Sequence, residues 1–308
     1  MLSYRHAFHA GNHADVFKHT LLVMLLERFN EKEAPYTVID THSGSARYDL
    51  NDERALKTKD AHGGILKLLE AGRRPQGTQQ DDFNNFQKYL RFAKACLAQG
   101  FYPGSPEIER AFMRSQDCLI LSELHPDEIG ALHRNMRSGA KAENAPEVHI
   151  HHRDGFEALR ALTPPETKRG IVLCDPSYED ASDYEKAANA LIETHRRWAG
   201  ATLALWYPLV AVKKIERDAM KQTIIAGIKS GKTGRGILDA HLCVNTESSH
   251  RESALEDIQR SEPPRLYGSG MIVVNPPWKL DCELAAVLPL LAQSLGVHGA
   301  GSYEINSH

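Results

Sequence analysis

Short apolar segments recur along the chain and alternate with longer segments of helical periodicity. Several are rich in β-branched or aromatic residues, as is typical of buried strands. Seven such segments span residues 36–41, 118–123, 147–152, 170–175, 201–208, 237–244 and 269–276. Strands that alternate with helices favour a largely parallel sheet covered on both faces. The pattern therefore predicts an α/β fold with a mostly parallel, doubly wound, seven-stranded sheet.

The clearest helical segment covers residues 13–32, near the start of the chain. Its apolar positions at helical spacing include Val16, Leu21, Leu22, Leu25 and Leu26. Residues 125–138 and 184–199 have the same periodicity and lie between predicted strands. We expect each segment to form an amphipathic helix that packs one face against the sheet.

The connection between the first two predicted strands is too long for a single crossover helix. It contains two further helical patterns, LKLLEAGRRPQGTQ and FNNFQKYLRFAKACLAQG. We therefore predict an inserted helical subdomain over residues 50–100 and a main domain formed by residues 1–49 and 101–308. The tail HGAGSYEINSH is expected to be loose or to add a short strand.

Polar or small residues follow each of the first three predicted strands, where an open α/β sheet binds its ligands. The first strand ends at Asp40 and leads into the turn THSGSAR at 41–47, the second ends at Glu123, and Asp154, Gly155 and Phe156 follow the third. Small residues let the backbone approach a ligand, and a carboxylate accepts hydrogen bonds from ribose hydroxyls. Each acid alone is more typical of a helix N-cap, but three at one edge favour a nucleoside ligand.

The fourth predicted strand ends in IVLCDPSYED at 171–180, which favours S-adenosylmethionine over a dinucleotide as the ligand. An adenine amino group is a poor nucleophile until two acceptors orient it. The Asp175 carboxylate and the Pro176 carbonyl would be those acceptors, because proline restrains the backbone. Tyr178 would stack on a base that has left its own stack. The alternative is a simple turn after a strand.

A similar stretch, MIVVNPPWKL at 271–280, ends the seventh predicted strand. It is distant from the ligand edge in strand order, so we expect catalysis at 175–178 instead. Asn275 and the two prolines after it are expected to end the strand, with Trp278 packed on it.

The composition is that of a globular protein rather than of a basic nucleic-acid coat protein. The 308 residues are 42% apolar and 25% charged, with a net charge of −3. Neither a secretion signal nor a membrane-spanning apolar segment is visible, and the five cysteines form no CxxC pair. We expect a cytoplasmic protein with reduced thiols. The basic residues within 213–235 either contact RNA phosphates or form a solvated helix face.

Two groups of histidines and one glycine-containing loop raise other functions. The histidines are His6, His9, His13 and His19 in the first group and His149 and His151 in the second. No metal-binding motif accompanies either group, so we expect no metal site. The segment AGIKSGKT at 226–233 resembles a phosphate-binding loop, but it lies after a helical pattern and before a strand. This order is the reverse of the one required, which argues against nucleotide triphosphate binding.

Several stretches together resemble one family, the ribosomal RNA large subunit methyltransferase J proteins. The matching stretches are MLSYRHAFHAGNHADVFKH, DTHSGSARY, FYPGSP, SELHP, DGF, ALWYP and SGMIVVNPPWKL. The resemblance implies a class I Rossmann-like methyltransferase fold with a helical insertion after the first strand. It also implies an enzyme that uses S-adenosylmethionine to methylate N6 of adenine 2030 in 23S ribosomal RNA.

The same resemblance assigns roles to individual positions. The cofactor contacts fall on His19, His42, Ser105, Glu123, Asp154, Gly155 and Asp175. Of these residues, Asp175 is also the catalytic acid, and Lys18 neighbours the set. Tyr4 matches a position that handles the RNA substrate. Ser177 stands where the family usually has proline, so we expect a slightly looser turn. The implied partner is 23S rRNA, naked or in an early assembly intermediate, and we expect a monomer. Two alternatives stay open: an enzyme with the same chemistry on DNA, and a non-catalytic rRNA-binding assembly protein.

Overall fold

The computed structural model describes residues 5–71, 80–137, 145–229, 236–251 and 265–308. Its strands are β1 (Thr37–Asp40), β2 (Arg47–Tyr48), β3 (Tyr102–Pro103), β4 (Cys118–Glu123), β5 (Glu147–His152), β6 (Gly170–Cys174), β7 (Thr202–Leu209), β8 (Ile237–Cys243), β9 (Gly268–Val274) and β10 (Ser302–Ser307). Eight of them form one sheet in the order β10-β8-β9-β7-β6-β1-β4-β5, and β2 pairs separately with β3.

All seven predicted strands are present, and the largely parallel character of the sheet is confirmed. The neighbours β5, β4, β1, β6 and β7 run parallel. By contrast, β9 is antiparallel to β7 and β8, and β10 is antiparallel to β8. The predicted number of seven strands is wrong by one, because the C-terminal tail pairs with β8 as an eighth strand, which was one of the two outcomes expected for the tail. The side chains of β10 are largely exposed, so the apolar pattern that marks a buried strand is missing there.

Helices cover both faces of the sheet. They are α1 (His13–Asn30), α2 (Glu53–Thr58), α3 (Asp60–Gly63), α4 (Ile65–Ala71), α5 (Gln80–Ala98), α6 (Ser105–Phe112), α7 (Pro126–Arg137), α8 (Gly155–Leu162), α9 (Ser182–Arg197), α10 (Lys214–Lys229) and α11 (Leu280–Leu295). The three predicted helices are confirmed as α1, α7 and α9. Within the described ranges, no helix combines the length and the apolar character needed to cross a lipid bilayer.

The sheet separates two apolar layers, as alternation along buried strands requires. Ala204 of β7 belongs to the layer that contains α1, α5, α7 and α11, whereas Leu203 and Leu205 belong to the layer of α8, α9 and α10. In β1 the same alternation sends Val38 to the first layer and Ile39 to the second. The strands are therefore buried on both faces, which explains their nearly continuous apolar sequences.

Helix α1 is buried on all sides, whereas the sequence predicts burial of one face. Every residue from Ala14 to Leu26 is buried, because α5, α6 and α11 pack against the helix in addition to the sheet. The side chain of Asn12 caps the helix by accepting a hydrogen bond from the backbone N–H of Asp15, at 2.9 Å. Asp15, Lys18 and His19 are thus polar residues in an apolar environment and need polar partners inside the protein.

Residues 53–71 and 80–98 are helical, as the sequence predicts for this connection. Helix α5 contacts α1 and α11, and its Phe86 and Tyr89 belong to the same apolar cluster as α1. Asn85 also donates a hydrogen bond of 2.8 Å to the buried Glu283 of α11. Residues 72–79, which include the end of the first predicted helical pattern, lie outside the described residues. The division of the chain into a main domain and a subdomain at 50–100 stays a prediction.

The Asn-Pro-Pro-Trp turn lies at the opposite edge of the sheet from Asp175. Because β9 is antiparallel to β7, its last residue Val274 pairs with Leu203, near the start of β7. The Asn275 amide donates hydrogen bonds of 2.8 Å to the carbonyls of Ala199 and Ala201. The turn therefore ends β9 and joins it to the start of β7, as expected. The expected packing of Trp278 is wrong, since this side chain is 80% exposed.

We predict that Asn275→Ala lowers the free energy of unfolding by about 2 kcal/mol or more, because two carbonyls lose their hydrogen-bond donor. Asn275 also has a φ of 54°, a left-handed conformation that alanine adopts less readily. Urea-induced unfolding measures the effect. Trp278→Ala is the control and should change stability by less than about 0.5 kcal/mol. Equal stability of the two variants would contradict this structural role of Asn275.

Candidate active site

The carboxyl ends of the five parallel strands meet at one edge of the sheet. The chain runs from β1 to β4 and β5 on one side and then returns to β6 and β7 on the other. The switch point between these directions lies between β1 and β6, and ligands of open α/β sheets bind there. His42 follows β1 and Asp175 follows β6, so the structure places both predicted residues at the switch point.

Lys18 forms the central ion pair at this edge. Its ammonium group contacts the carboxylate of Asp175 and lies 3.0 Å from Oδ1 of Asp15. Asp15 also accepts a hydrogen bond from the Gly11 amide and contacts Nε2 of His6, each at 2.9 Å. Burial favours the neutral form of Asp15, but His6 and Lys18 outweigh it and hold the pKa of Asp15 well below its usual range.

His19 is a buried neutral ring beside this ion pair. Its Nδ1 lies 2.8 Å from the hydroxyl of Tyr102, which in turn lies 3.1 Å from the hydroxyl of Tyr89. Burial lowers the pKa of His19 to about 3, so the ring is uncharged at neutral pH. The side chain is enclosed by α5 and β3, and its contact with a cofactor stays a prediction.

Asp40, the last residue of β1, organises the predicted cofactor residues on either side of it. Its fully buried carboxyl accepts a hydrogen bond of 2.7 Å from the hydroxyl of Ser105 and one of 3.1 Å from the backbone N–H of His42. Burial raises the pKa of Asp40 to about 7, although both hydrogen bonds oppose this shift. Asp40 therefore fixes where Ser105 and the turn after β1 lie.

Glu109 lies one helical turn after Ser105 in α6 and is also fully buried. Neither of its carboxyl oxygens has a hydrogen-bond partner within the described part of the chain. Burial raises the pKa of Glu109 well above its usual range, and the nearby Asp40 raises it further. Burial with no hydrogen-bond partner among the described residues therefore favours the neutral form of Glu109.

Asp15 and Glu109 are not among the predicted site residues, and Asp40 was noted only as the acid that ends the first strand. A signal was available for Asp15, because it precedes Lys18 by three residues inside an otherwise apolar helical pattern. Two opposite charges at that spacing share a helix face and suggest a buried pair. No such signal marks Glu109, since its helix carries several charges and only the fold reveals which one is buried.

Glu123 and Asp154 both hold backbone N–H groups at the site. One oxygen of Glu123 accepts from the Gly44 amide at 2.7 Å and the other from the His125 amide at 2.6 Å. Glu123 therefore holds the turn after β1 against β4. Asp154 caps α8 by accepting from the amides of its second and third residues, at 3.0 Å each. The N-cap interpretation is correct for Asp154, and cofactor contacts of both acids stay predictions.

Gly155 permits close contact between α8 and the turn after β1. A Cβ atom at this position would lie 2.3 Å from the carbonyl oxygen of Thr41 and 2.7 Å from Cε1 of His42. The next residue, Phe156, packs its ring edge-on against the ring of His42, with centroids 5.4 Å apart. Burial lowers the pKa of His42, although Asp175 and other acids partly offset it. His42 is therefore neutral and held between two strand ends.

The Asp-Pro-Ser-Tyr turn brings Asp175 to the edge but turns the Tyr178 side chain into the apolar layer. The Tyr178 ring is 9% exposed and packs against Tyr184, with centroids 4.5 Å apart. Its hydroxyl donates to the carbonyl of Trp206 at 2.8 Å. Tyr178 has a φ of 53°, an uncommon conformation for a bulky residue that often occurs at functional sites. Its stacking on a base stays a prediction, as does the role of Pro176, whose side chain is buried.

Basic residues after β7 are neutralised by neighbouring acids. Lys213 pairs with Glu216, Lys214 and Arg217 with Asp218, and Lys221 with Asp239 of β8. This arrangement fits a solvated helix face better than a free phosphate-binding surface. The rest of the basic segment, at 230–235, lies outside the described residues, as does most of the loop resembling a phosphate-binding motif.

The other predicted groups do not converge on the site. His9 contacts Asp60 at 2.9 Å, and His149 contacts Glu147 on the exposed edge strand β5. Across the described ranges, no three His, Cys, Asp or Glu side chains are arranged to hold a metal ion. Tyr4, the predicted RNA-handling residue, lies outside the described residues.

Strand order defines the class of the protein. Five parallel strands are followed in the sheet by the antiparallel β9, which is inserted between β7 and β8. This is the arrangement of a Rossmann-like methyltransferase fold, as expected. Residues 33–307 match the family model described as "Ribosomal RNA large subunit methyltransferase D, RlmJ", and the chain belongs to this family.

Similar proteins cover nearly the whole chain. It is 37% identical to ribosomal RNA large subunit methyltransferase J of Escherichia coli over 99% of this chain and 98% of that protein. The protein of the same name from Haemophilus influenzae is 35% identical over the same shares. The crystal structure of a protein from Legionella pneumophila superposes with a TM-score of 0.76 and 29% identity, covering 97% of this chain and 98% of the other.

We predict that Gly155→Ala lowers the free energy of unfolding by about 1–3 kcal/mol, because the added methyl group must displace backbone. Thermal or urea unfolding measures the change. Gly130→Ala in α7 is a matched control, since its Cβ would meet only a flexible arginine nitrogen at 3.5 Å. Alanine there should stabilise the helix by up to about 1 kcal/mol. Equal effects of the two substitutions would contradict the close contact at Gly155.

We predict a pH-dependent effect of Asp40→Asn on stability. Because the pKa of Asp40 rises from 3.8 to about 7 on folding, its contribution is complete below 3.8 and is lost as the pH rises towards 7. Asparagine stays uncharged, so the variant should gain stability relative to the wild type between pH 5 and pH 8, by roughly 1–3 kcal/mol. Urea unfolding at both pH values tests this. A stability difference that does not change with pH would contradict it.

Proposed function

We propose that this protein uses S-adenosylmethionine to methylate N6 of one adenine in 23S ribosomal RNA, at the position numbered 2030 by family resemblance. Membership of an rRNA methyltransferase family supports an RNA substrate. The observation that carries the adenine-N6 chemistry is the placement of Asp175 at the switch point, followed directly by Pro176. Such a protein would act in the cytoplasm, on naked rRNA or an early assembly intermediate, and as a monomer.

The residues at the carboxyl ends of the parallel strands fit S-adenosylmethionine as the cofactor. Glu123 and Asp154 offer carboxylate oxygens to hydroxyl and amino groups, and His42 and Ser105 lie beside them as neutral polar groups. Gly155 leaves room where a side chain would collide with the turn after β1. We assign cofactor binding to these residues together with His19 and Asp175. The cofactor would supply an electrophilic methyl group, and no metal is required.

The role of Asp175 is to orient the target amino group. Lys18 holds one carboxylate oxygen of Asp175 in place, which leaves the other to accept a hydrogen bond from the adenine N6. The Pro176 carbonyl would accept the second hydrogen, and Tyr178 would contact the flipped base. Positioning of this kind contributes up to several kcal/mol to catalysis. The proton that N6 loses would pass to Asp175 or to water.

Two other functions would use the same fold. An adenine-N6 methyltransferase of DNA needs the same acceptors, since neither of them contacts the sugar. A non-catalytic rRNA-binding assembly protein would keep the cofactor as a structural ligand. The family match favours RNA over DNA, and the ion-paired Asp175 at the ligand edge favours catalysis over a purely structural role.

The test is incubation of the protein with labelled S-adenosylmethionine and either deproteinised 23S rRNA or plasmid DNA. We expect N6-methyladenosine in the rRNA digest by mass spectrometry and none in the DNA. Asp175→Ala should lower the rate by a factor on the order of 10² or more, because the side-chain acceptor that orients N6 is lost.

Asp180→Asn is the matched control in the same loop. Asp180 is exposed and accepts a hydrogen bond of 2.8 Å from the Ser182 amide, a role that asparagine retains. The Asp180→Asn variant should methylate the rRNA at the rate of the wild type. Methylation of DNA alone would establish the first alternative, and cofactor binding without methylation of either substrate would establish the second.

A further inference from the structure

The corner between α2 and α3 presents two lysines beside the segment that carries the site. Both Lys57 and Lys59 are exposed. Among the described residues, neither side chain takes part in an ion pair, unlike Lys213, Lys214 and Lys221. The two lysine ammonium groups are therefore available to a partner in solution, whereas Lys214 and Lys221 pair with acids of α10 and β8.

A series of contacts connects this corner with Lys18 at the candidate active site. Thr58 donates a hydrogen bond to the carbonyl of Phe8, and Asp60 contacts Nδ1 of His9 at 2.9 Å. The short helix that precedes His9 also contains His6, which binds Asp15 and through it Lys18. The corner that carries the two lysines therefore packs against the N-terminal segment, and His6 of that segment contacts the ion pair of the site.

The backbone at Lys59 has an unfavourable conformation for lysine. Its φ is 56°, at the junction where α2 ends and α3 begins. Glycine or asparagine occupies such left-handed positions with less strain. A lysine at the end of α2 also interacts favourably with the helix dipole, but α2 has only six residues and the side chain is exposed. Neither the backbone conformation nor the helix therefore requires a lysine at position 59.

We propose that the α2–α3 corner binds backbone phosphates of the RNA next to the target nucleotide, through Lys57 and Lys59. The inference rests on the proposed function, because it assigns a binding surface to the RNA strand that flanks the methylated adenine. Lysine contacts to phosphates position a nucleic acid without reading its sequence. Their loss should therefore weaken RNA binding uniformly and leave cofactor binding unchanged.

The test compares Lys57→Gln, Lys59→Asn and the double variant with the wild type. Filter binding of deproteinised 23S rRNA is measured over a range of KCl concentrations. Each lost contact should reduce the slope of log affinity against log salt by about 0.7–0.9 and weaken binding roughly three- to tenfold at low salt. In methylation assays the KM for RNA should rise while kcat is retained.

Lys279→Asn is the matched control. Lys279 is also exposed and left-handed, with a φ of 65°, but it follows the turn at the opposite edge of the sheet. The Lys279→Asn variant should bind RNA as the wild type does. Thermal unfolding should show that asparagine at position 59 or 279 leaves the melting temperature close to that of the wild type. Unchanged affinity and salt slope in the double variant would overturn the proposal, as would an equal loss in Lys279→Asn. If the wild type neither binds nor methylates rRNA, the proposed function itself fails.

Discussion

The structure depends on a buried lysine that two carboxylates share. Lys18 lies inside a helix enclosed on all sides, and it contacts Asp15 of its own helix and Asp175 at the end of β6. A buried charge is tolerated only when it is paired, so the position of α1 determines where Asp175 lies. The helix is therefore both the centre of one apolar layer and the support of the candidate catalytic acid.

Burial shifts the pKa values of several titratable groups at the site. His19 and His42 have lowered pKa values because they are buried, and burial raises those of Asp40 and Glu109. At neutral pH the two histidines are uncharged and Asp40 is close to its midpoint, and burial favours the neutral form of Glu109. The turn after β1 is held by hydrogen bonds from the amides of His42 and Gly44 to the carboxyl groups of Asp40 and Glu123.

Local patterns predicted most of the fold, and non-local burial accounts for what they missed. The seven strands and the helices α1, α7 and α9 follow from apolar spacing, which is a property of neighbouring residues. The all-round burial of α1 and the strand β10 depend on distant segments that pack or pair with them. Glu123, Asp154 and Asp175 were predicted as site residues because they end strands. Glu109 was not, because its importance arises from burial that only the packing of α6 creates. Whether the predicted site residues bind a cofactor stays a prediction.

Two turns of similar sequence have different roles because the strands that precede them run in opposite directions. Asp-Pro-Ser-Tyr leaves a strand that points towards the ligand edge, whereas Asn-Pro-Pro-Trp leaves β9, which points the other way. The amide of Asn275 therefore meets two backbone carbonyls instead of a substrate. A motif search that scores letters alone would rank the second turn at least as high as the first. In folds of this class, the polarity of the preceding strand carries information that the motif itself lacks.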